Sequence, residues 1–90
     1  MSSKVAEVIV YSKDYCPYCV AAKNLLTQKG IAYQEIDVGK DTAQYEDMLR
    51  RAAPRRTVPQ IFIAGQPIGG FDDMKKLEQE GKLDSLLFPK

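Results

Sequence analysis

The chain carries two cysteines, three positions apart in Cys16-Pro17-Tyr18-Cys19, and no histidine. Zinc sites of the Cys/His type, Ser-His-Asp triads and Cys-His nucleophile pairs are therefore excluded. A bridge between residues three apart closes too small a loop to constrain much of a fold, which argues against a structural disulfide. What remains is thiol–disulfide exchange, half of a metal site, or an inert pair. Exchange needs a thiolate, and at an unperturbed pKa of about 8.5 only roughly 3% of a thiol is ionised at pH 7. Pro17 suits the first position of a helix, which puts Cys16 at the N-cap and Cys19 at the third position. A side chain at the N-cap faces the unpaired backbone N–H groups of Tyr18 and Cys19, at the positive end of the helix dipole. That environment favours a thiolate, so the pKa of Cys16 is expected to fall. Cys19, one turn in on the inner face, is expected to be less accessible and higher in pKa. Cys16 should attack and Cys19 should resolve. Lys13 either supports the thiolate or meets an anionic substrate, or is a solvated loop lysine. Tyr15 and Tyr18 flank the pair as rim aromatics or as packing.

The elements around the pair follow from patterning. Val5 to Tyr11 is short, β-branched and nearly continuously apolar, as in a strand buried on both faces of a parallel sheet. Pro17 to Lys29 places Cys19, Ala22, Leu25 and Leu26 on one helical face, and Gly30 suits the residue just past its end. Ile31 to Val38 reads as a second strand. Strand, helix and strand in about 34 residues make a βαβ unit. A second helix is expected over Thr42 to Ala52, with Asp41 as N-cap and Tyr45, Met48, Leu49 and Ala52 as its buried stripe. Gln60 to Ile63 and Gln66 to Ile68 flank Ala64-Gly65 as a hairpin, and Pro67 makes the last strand an edge. A third helix is expected from Asp72 to Glu80, closed by Gly81, and Leu83, Leu86 and Leu87 suggest a final turn packed on the sheet. The class is α/β: βαβ then ββα, a four-stranded mixed sheet flanked by helices.

Ninety residues, 44% hydrophobic and 28% charged, suit a single globular domain over 1–90 with one modest core. Thirteen basic and twelve acidic residues leave a net charge of +1, which removes the electrostatic case for nucleic acid or an anionic membrane. Met1-Ser2-Ser3-Lys4 leads into a run broken by Glu7, without the apolar stretch and small-residue cleavage site of a secretion signal. A reducing, cytoplasmic location is the expectation, and there a Cys-x-x-Cys is more often catalytic or metal-binding than structural.

Three motifs carry a resemblance that covers nearly the whole chain. Cys16-Pro17-Tyr18-Cys19 resembles the dithiol active site of small bacterial-like glutaredoxins. Thr57-Val58-Pro59-Gln60-Ile61-Phe62-Ile63 and Ile68-Gly69-Gly70-Phe71-Asp72-Asp73 resemble that family's two other signatures, in the same order and at similar spacing. The resemblance implies a thioredoxin-like fold and glutathione-dependent reduction of protein disulfides and of glutathione mixed disulfides. Glutathione would be the co-substrate, disulfide-containing or glutathionylated proteins the partners, and the protein a monomer without a metal.

Carried over position by position, Pro59 matches the family's cis-proline and Val58 the residue whose backbone pairs with a cysteinyl substrate. Thr57 would border the same groove. Gly69 and Gly70 would leave room for a peptide backbone. Asp72 and Asp73 open a helix, one of them as its cap; its N–H groups would take the γ-glutamyl carboxylate and Asp73 the amine. Lys13, Tyr18, Arg56, Gly70 and Phe71 complete the expected glutathione contacts; of the local charge excess Arg50, Arg51, Arg55 and Arg56, Arg56 is better placed to meet the glycine carboxylate, with the choice among them left open. Arg50 and Arg51 read as a helix end in solvent. Some relatives carry a cysteine at the position of Phe71 and others a serine at that of Cys19; here there is no third thiol and the two-thiol route stays open. Two other functions remain: a thioredoxin-like electron donor recycled by a flavin reductase, and an iron–sulfur carrier using Cys16 of two chains.

Overall fold

The computed structural model describes residues 5–89. The Met1-Ser2-Ser3-Lys4 stretch, on which part of the location reading rests, lies outside the described residues, as does residue 90. The elements run β1 (Val8–Ser12), α1 (Pro17–Gln28), β2 (Gln34–Asp37), α2 (Thr42–Ala52), β3 (Gln60–Ile63), β4 (Gln66–Gly69), α3 (Phe71–Gln79) and α4 (Leu83–Leu87). The sheet order is β2-β1-β3-β4, with β1 parallel to β2 and antiparallel to β3, and β4 antiparallel to β3 at the edge. This is the mixed four-stranded sheet expected, with Pro67 on the edge strand.

Alternation along the strands divides the core into two layers. Val8, Val10, Ile61 and Ile63 point to the face covered by Ala22 and Leu26 of α1, Met74 of α3, and Leu83 and Leu87 of α4. Tyr11 and Phe62 point to the other face, against Met48 and Ala52 of α2. Register then fixes the position of the chemistry. Ser12 stands opposite Asp37, Tyr11 opposite Gln60 and Ile61 opposite Gly69. The loop after β1, the segment before β3 and the junction after β4 therefore meet at one edge of the sheet.

Several boundaries differ from the patterning. Val5 to Glu7 lie outside β1, and Ala6 instead donates its N–H to the Leu87 carbonyl. β2 begins only at Gln34 because Ile31 donates its N–H to the Leu26 carbonyl and Gly30 donates to that of Thr27. Those two bonds close α1 in a Schellman motif, with Gly30 at φ +73°. α3 begins at Phe71, not Asp72, with Gly70 as its N-cap. Tyr45 does not join the buried stripe of α2; it is exposed. Arg51 is exposed at the helix end but not without partners: its guanidinium lies 4.6 Å from the Phe62 ring centroid and donates to the Tyr11 hydroxyl at 2.7 Å, which in turn donates to Asp47 at 3.0 Å. Among the described residues no helix is long and apolar enough to cross a membrane.

Candidate active site

β1 ends at Ser12, and the chain turns through a loop in which Tyr15 adopts a left-handed φ of +59° before α1 begins. Cys16 is the N-cap, with extended backbone angles (φ −114°, ψ 102°) and Pro17 behind it at the first helical position. The Cys19 N–H donates to Cys16 Sγ at 3.1 Å, so the sulfur itself does the capping. Across the gap, Cys16 Sγ points its thiol proton at the Val58 carbonyl, 3.8 Å away. Both cysteines are free thiols, Cys16 half-buried and Cys19 with 1% of its surface exposed. Burial first, then the hydrogen bond with Cys16, pushes the Cys19 thiol up to about 12. One sulfur caps the helix at the mouth of the groove; the other lies enclosed and protonated beneath it.

Two cavities meet at Thr57 and Val58. One, of about 600 Å³, runs past Lys13, Tyr15, Cys16 and Arg56 towards Tyr45. The other, of about 330 Å³, is lined by Tyr18, Arg55, Pro59, Gly70, Phe71, Asp72 and Asp73. The Val58–Pro59 peptide bond is cis, as is Ala53–Pro54. Tyr18 and Phe71 stack across the rim with centroids 6.4 Å apart and planes 26° off parallel. At the far end, Asp73 reaches back from the third position of α3 to accept the Gly70 N–H at 3.0 Å, and it also accepts from Arg55. The Arg55 guanidinium, followed by that backbone bond, holds the Asp73 carboxyl below the usual carboxylate range. The combined groove thus has Lys13 and Arg56 at one end, the Arg55–Asp73 pair, Asp72 and a helix N-terminus at the other, and the Cys16 thiol between them.

A sequence profile described as Glutaredoxin matches residues 8–68. The chain belongs to the glutaredoxin family. It is 48% identical over 83 residues to Glutaredoxin 3 of Escherichia coli, covering 92% of this chain and 99% of that one. It is also 48% identical to a glutaredoxin of Pseudomonas aeruginosa over 81 residues, 89% of this chain and 94% of that one. The solution structure of the Brucella melitensis glutaredoxin superposes with a TM-score of 0.83 at 44% identity, over 98% of this chain and 95% of that one. A buckwheat glutaredoxin, solved as a complex with glutathione, gives 0.83 at 36% identity over 91% and 76% of the two chains. The thioredoxin-like α/β fold and the glutathione-dependent thiol–disulfide oxidoreductase activity expected from the three motifs are those of this family.

In this glutaredoxin the expected glutathione contacts gather in the two cavities, but not in one place. Tyr18, Thr57, Val58, Pro59, Gly70, Phe71, Asp72 and Asp73 share the smaller one. Lys13 and Arg56 line the larger one with Cys16. The aspartates do not cap α3 from its N-cap position; Gly70 stands there, and Asp73 works backwards from inside the helix. Gly69 makes room for side chains: a Cβ there would lie 2.7 Å from Arg55 Nη1 and 2.8 Å from Asp73 Cγ. Arg55 is the residue whose partner patterning leaves open. The basic pair Arg55-Arg56 signals a cationic groove, yet only the turn closed by the Arg55 N–H on the Ala52 carbonyl sends the two side chains to different cavities.

Proposed function

We propose that Cys16 is the nucleophile, that Cys19 is the resolving thiol, and that glutathione lies along the two joined cavities. The supporting observation is the position of Cys16 Sγ, which accepts the Cys19 N–H and faces the Val58 carbonyl where the cavities meet. Glutathione has a zwitterionic γ-glutamyl end, a cysteinyl centre and a glycine carboxylate. The cysteinyl backbone pairs with Val58 beside Pro59, as an added strand would. The γ-glutamyl carboxylate meets the N-terminus of α3 while its ammonium replaces the Arg55 guanidinium on Asp73. The glycine carboxylate lies towards Lys13 and Arg56.

On a glutathionylated protein, the Cys16 thiolate attacks the glutathione sulfur. A Cys16–glutathione disulfide forms, and the protein leaves as a thiolate that takes a proton from solvent. A second glutathione thiolate then attacks the glutathione sulfur of that disulfide, forming glutathione disulfide and returning Cys16. On a protein disulfide, Cys16 forms a mixed disulfide with one sulfur while the other leaves as a thiolate that takes a proton from solvent. Cys19 loses its proton and attacks Cys16 Sγ, the remaining protein sulfur leaves in the same way, and two glutathiones later reduce the Cys16–Cys19 bridge. The substrates are glutathionylated and disulfide-bonded proteins, met in the cytoplasm by a monomer whose 90 residues act as one domain. The test is a pair of substitutions. Cys16→Ser should abolish both reactions, whereas Cys19→Ser should retain deglutathionylation and lose direct reduction of protein disulfides. Retained turnover in Cys16→Ser would overturn the assignment.

A further inference from the structure

Cys19 has a polar neighbourhood that the attack by Cys16 does not use. A third cavity, of about 380 Å³, opens beside α1 and reaches both cysteines, with Lys23 and Glu35 in its wall. Lys23 follows Cys19 by four residues on α1 and so lies on the same helical face, one turn on. Its ammonium donates to Glu35 Oε2 at 2.8 Å. The same oxygen accepts the hydroxyl of Ser12 at 2.6 Å, and Ser12, the last residue of β1, is 1% exposed. Val10 stands opposite Glu35 in the parallel β1–β2 pair, so Ser12 and Glu35 project to the sheet face that α1 covers. A buried hydroxyl thus anchors a carboxylate, and the carboxylate anchors an ammonium beside the resolving thiol.

We propose that Lys23, held in place by Glu35 and Ser12, is a positioning residue for the two-thiol route: its charge supports the developing thiolate of Cys19 as the Cys16–Cys19 bridge closes. In that step the Cys19 thiol gives its proton to solvent and its sulfur bonds to Cys16 Sγ. The bond from Cys16 to glutathione or to the substrate sulfur breaks, and the departing thiolate takes up a proton. Cys19 is buried and Cys16 is bonded to the substrate, so an anion there is costly and a nearby positive charge adds to what the backbone supplies. The other groups facing this thiol are the Lys13 backbone, which favours the anion, and Cys16; Tyr33 and Glu35 face Lys23 from the β2 side, and Asp14 lies in the cavity wall. Lys23 favours the Cys19 thiolate, and Glu35 opposes it by neutralising Lys23.

The inference rests on Cys19 as the resolving thiol, and rapid mixing separates the two ideas. Reduced protein mixed with excess glutathione disulfide first gains one glutathione on Cys16, then releases it as the bridge closes; quenched samples weighed by mass spectrometry resolve the phases. Lys23→Gln should slow closure at pH 7 by about threefold for each unit by which the thiol rises, because the smaller thiolate fraction is partly offset by higher nucleophilicity. Its closure profile should move to higher pH. Glu35→Gln keeps the hydrogen bonds but removes the opposing charge, so closure should quicken and its profile move to lower pH. Lys23→Arg should close like the parent. A purely structural role would slow closure in both Gln variants, and that result, unchanged closure in both, or Lys23→Arg as slow as Lys23→Gln would overturn the inference. Absence of any closure phase in the parent protein would instead overturn the role of Cys19, and the inference with it.

Discussion

At the scale of single residues, the two sulfurs differ because one is solvated at a helix end and the other is enclosed. The Cys19 thiol is pushed up to about 12, chiefly by burial. Burial disfavours the charged form, so for a thiol the shift is upward and the anion appears only as pH rises towards that value. Iodoacetamide at pH 7 to 9 should therefore add once to the reduced native protein, at Cys16, and twice in denaturant. Peptide mapping checks the site; native labelling of Cys19 at pH 8 as fast as that of Cys16 would show that the enclosure is open. Much of this asymmetry is legible in the sequence, since Pro17 after the first cysteine marks the helix start and three residues of helix turn the second cysteine inward. The partner of Asp73 is not. Arg55 and Arg56 are adjacent and chemically identical, and only the path of the chain after α2 decides which one reaches α3.

At the scale of elements, the groove depends on how β4 hands over to α3. Gly69 ends β4 at φ +114°, a conformation that L side chains rarely adopt, and its missing Cβ is the space in which Asp73 and Arg55 meet. Gly69→Ala should cost about 1–3 kcal/mol from the backbone alone. It should also turn Asp73 away from the Gly70 N–H, raising the KM for glutathione more than it lowers kcat. Urea denaturation and steady-state kinetics read the two effects separately; a stable variant with an unchanged KM would count against the role of this junction. The bounds of α2 are legible almost to the residue because the Asp41 cap, the buried Met48 and Ala52 and the late Arg50 and Arg51 agree, although Tyr45 falls outside the stripe. β2 is legible only in part. Ile31 is apolar and β-branched like a strand residue, but it is the hydrophobic cap of α1 and is buried in the core with Leu26.

At the scale of the whole molecule, chemistry and cohesion occupy opposite edges of one sheet. The loop after β1, the Thr57–Pro59 segment and the Gly70–Asp73 turn share the edge at which β1 ends. At the other edge, where β1 begins, the Leu87 carbonyl accepts the Ala6 N–H, and Leu83 and Leu87 are wholly enclosed against Val8 and Ile63. A chain of this length has a modest core, so a short terminal helix that closes one layer contributes a large share of stability. Leu87→Ala should cost about 2–5 kcal/mol, the range for an enclosed leucine whose cavity only partly collapses. In a domain of this size each kcal/mol lowers Tm by about 4–8 °C, so the loss is readily measured by calorimetry. Well below the lowered Tm, the KM for glutathione and the rate of the Cys16 reaction should stay at their parent values, because no residue of α4 lines either cavity. Parallel loss of stability and of Cys16 reactivity in the folded variant would mean that α4 helps to set the geometry of the site, and that the two edges are not independent.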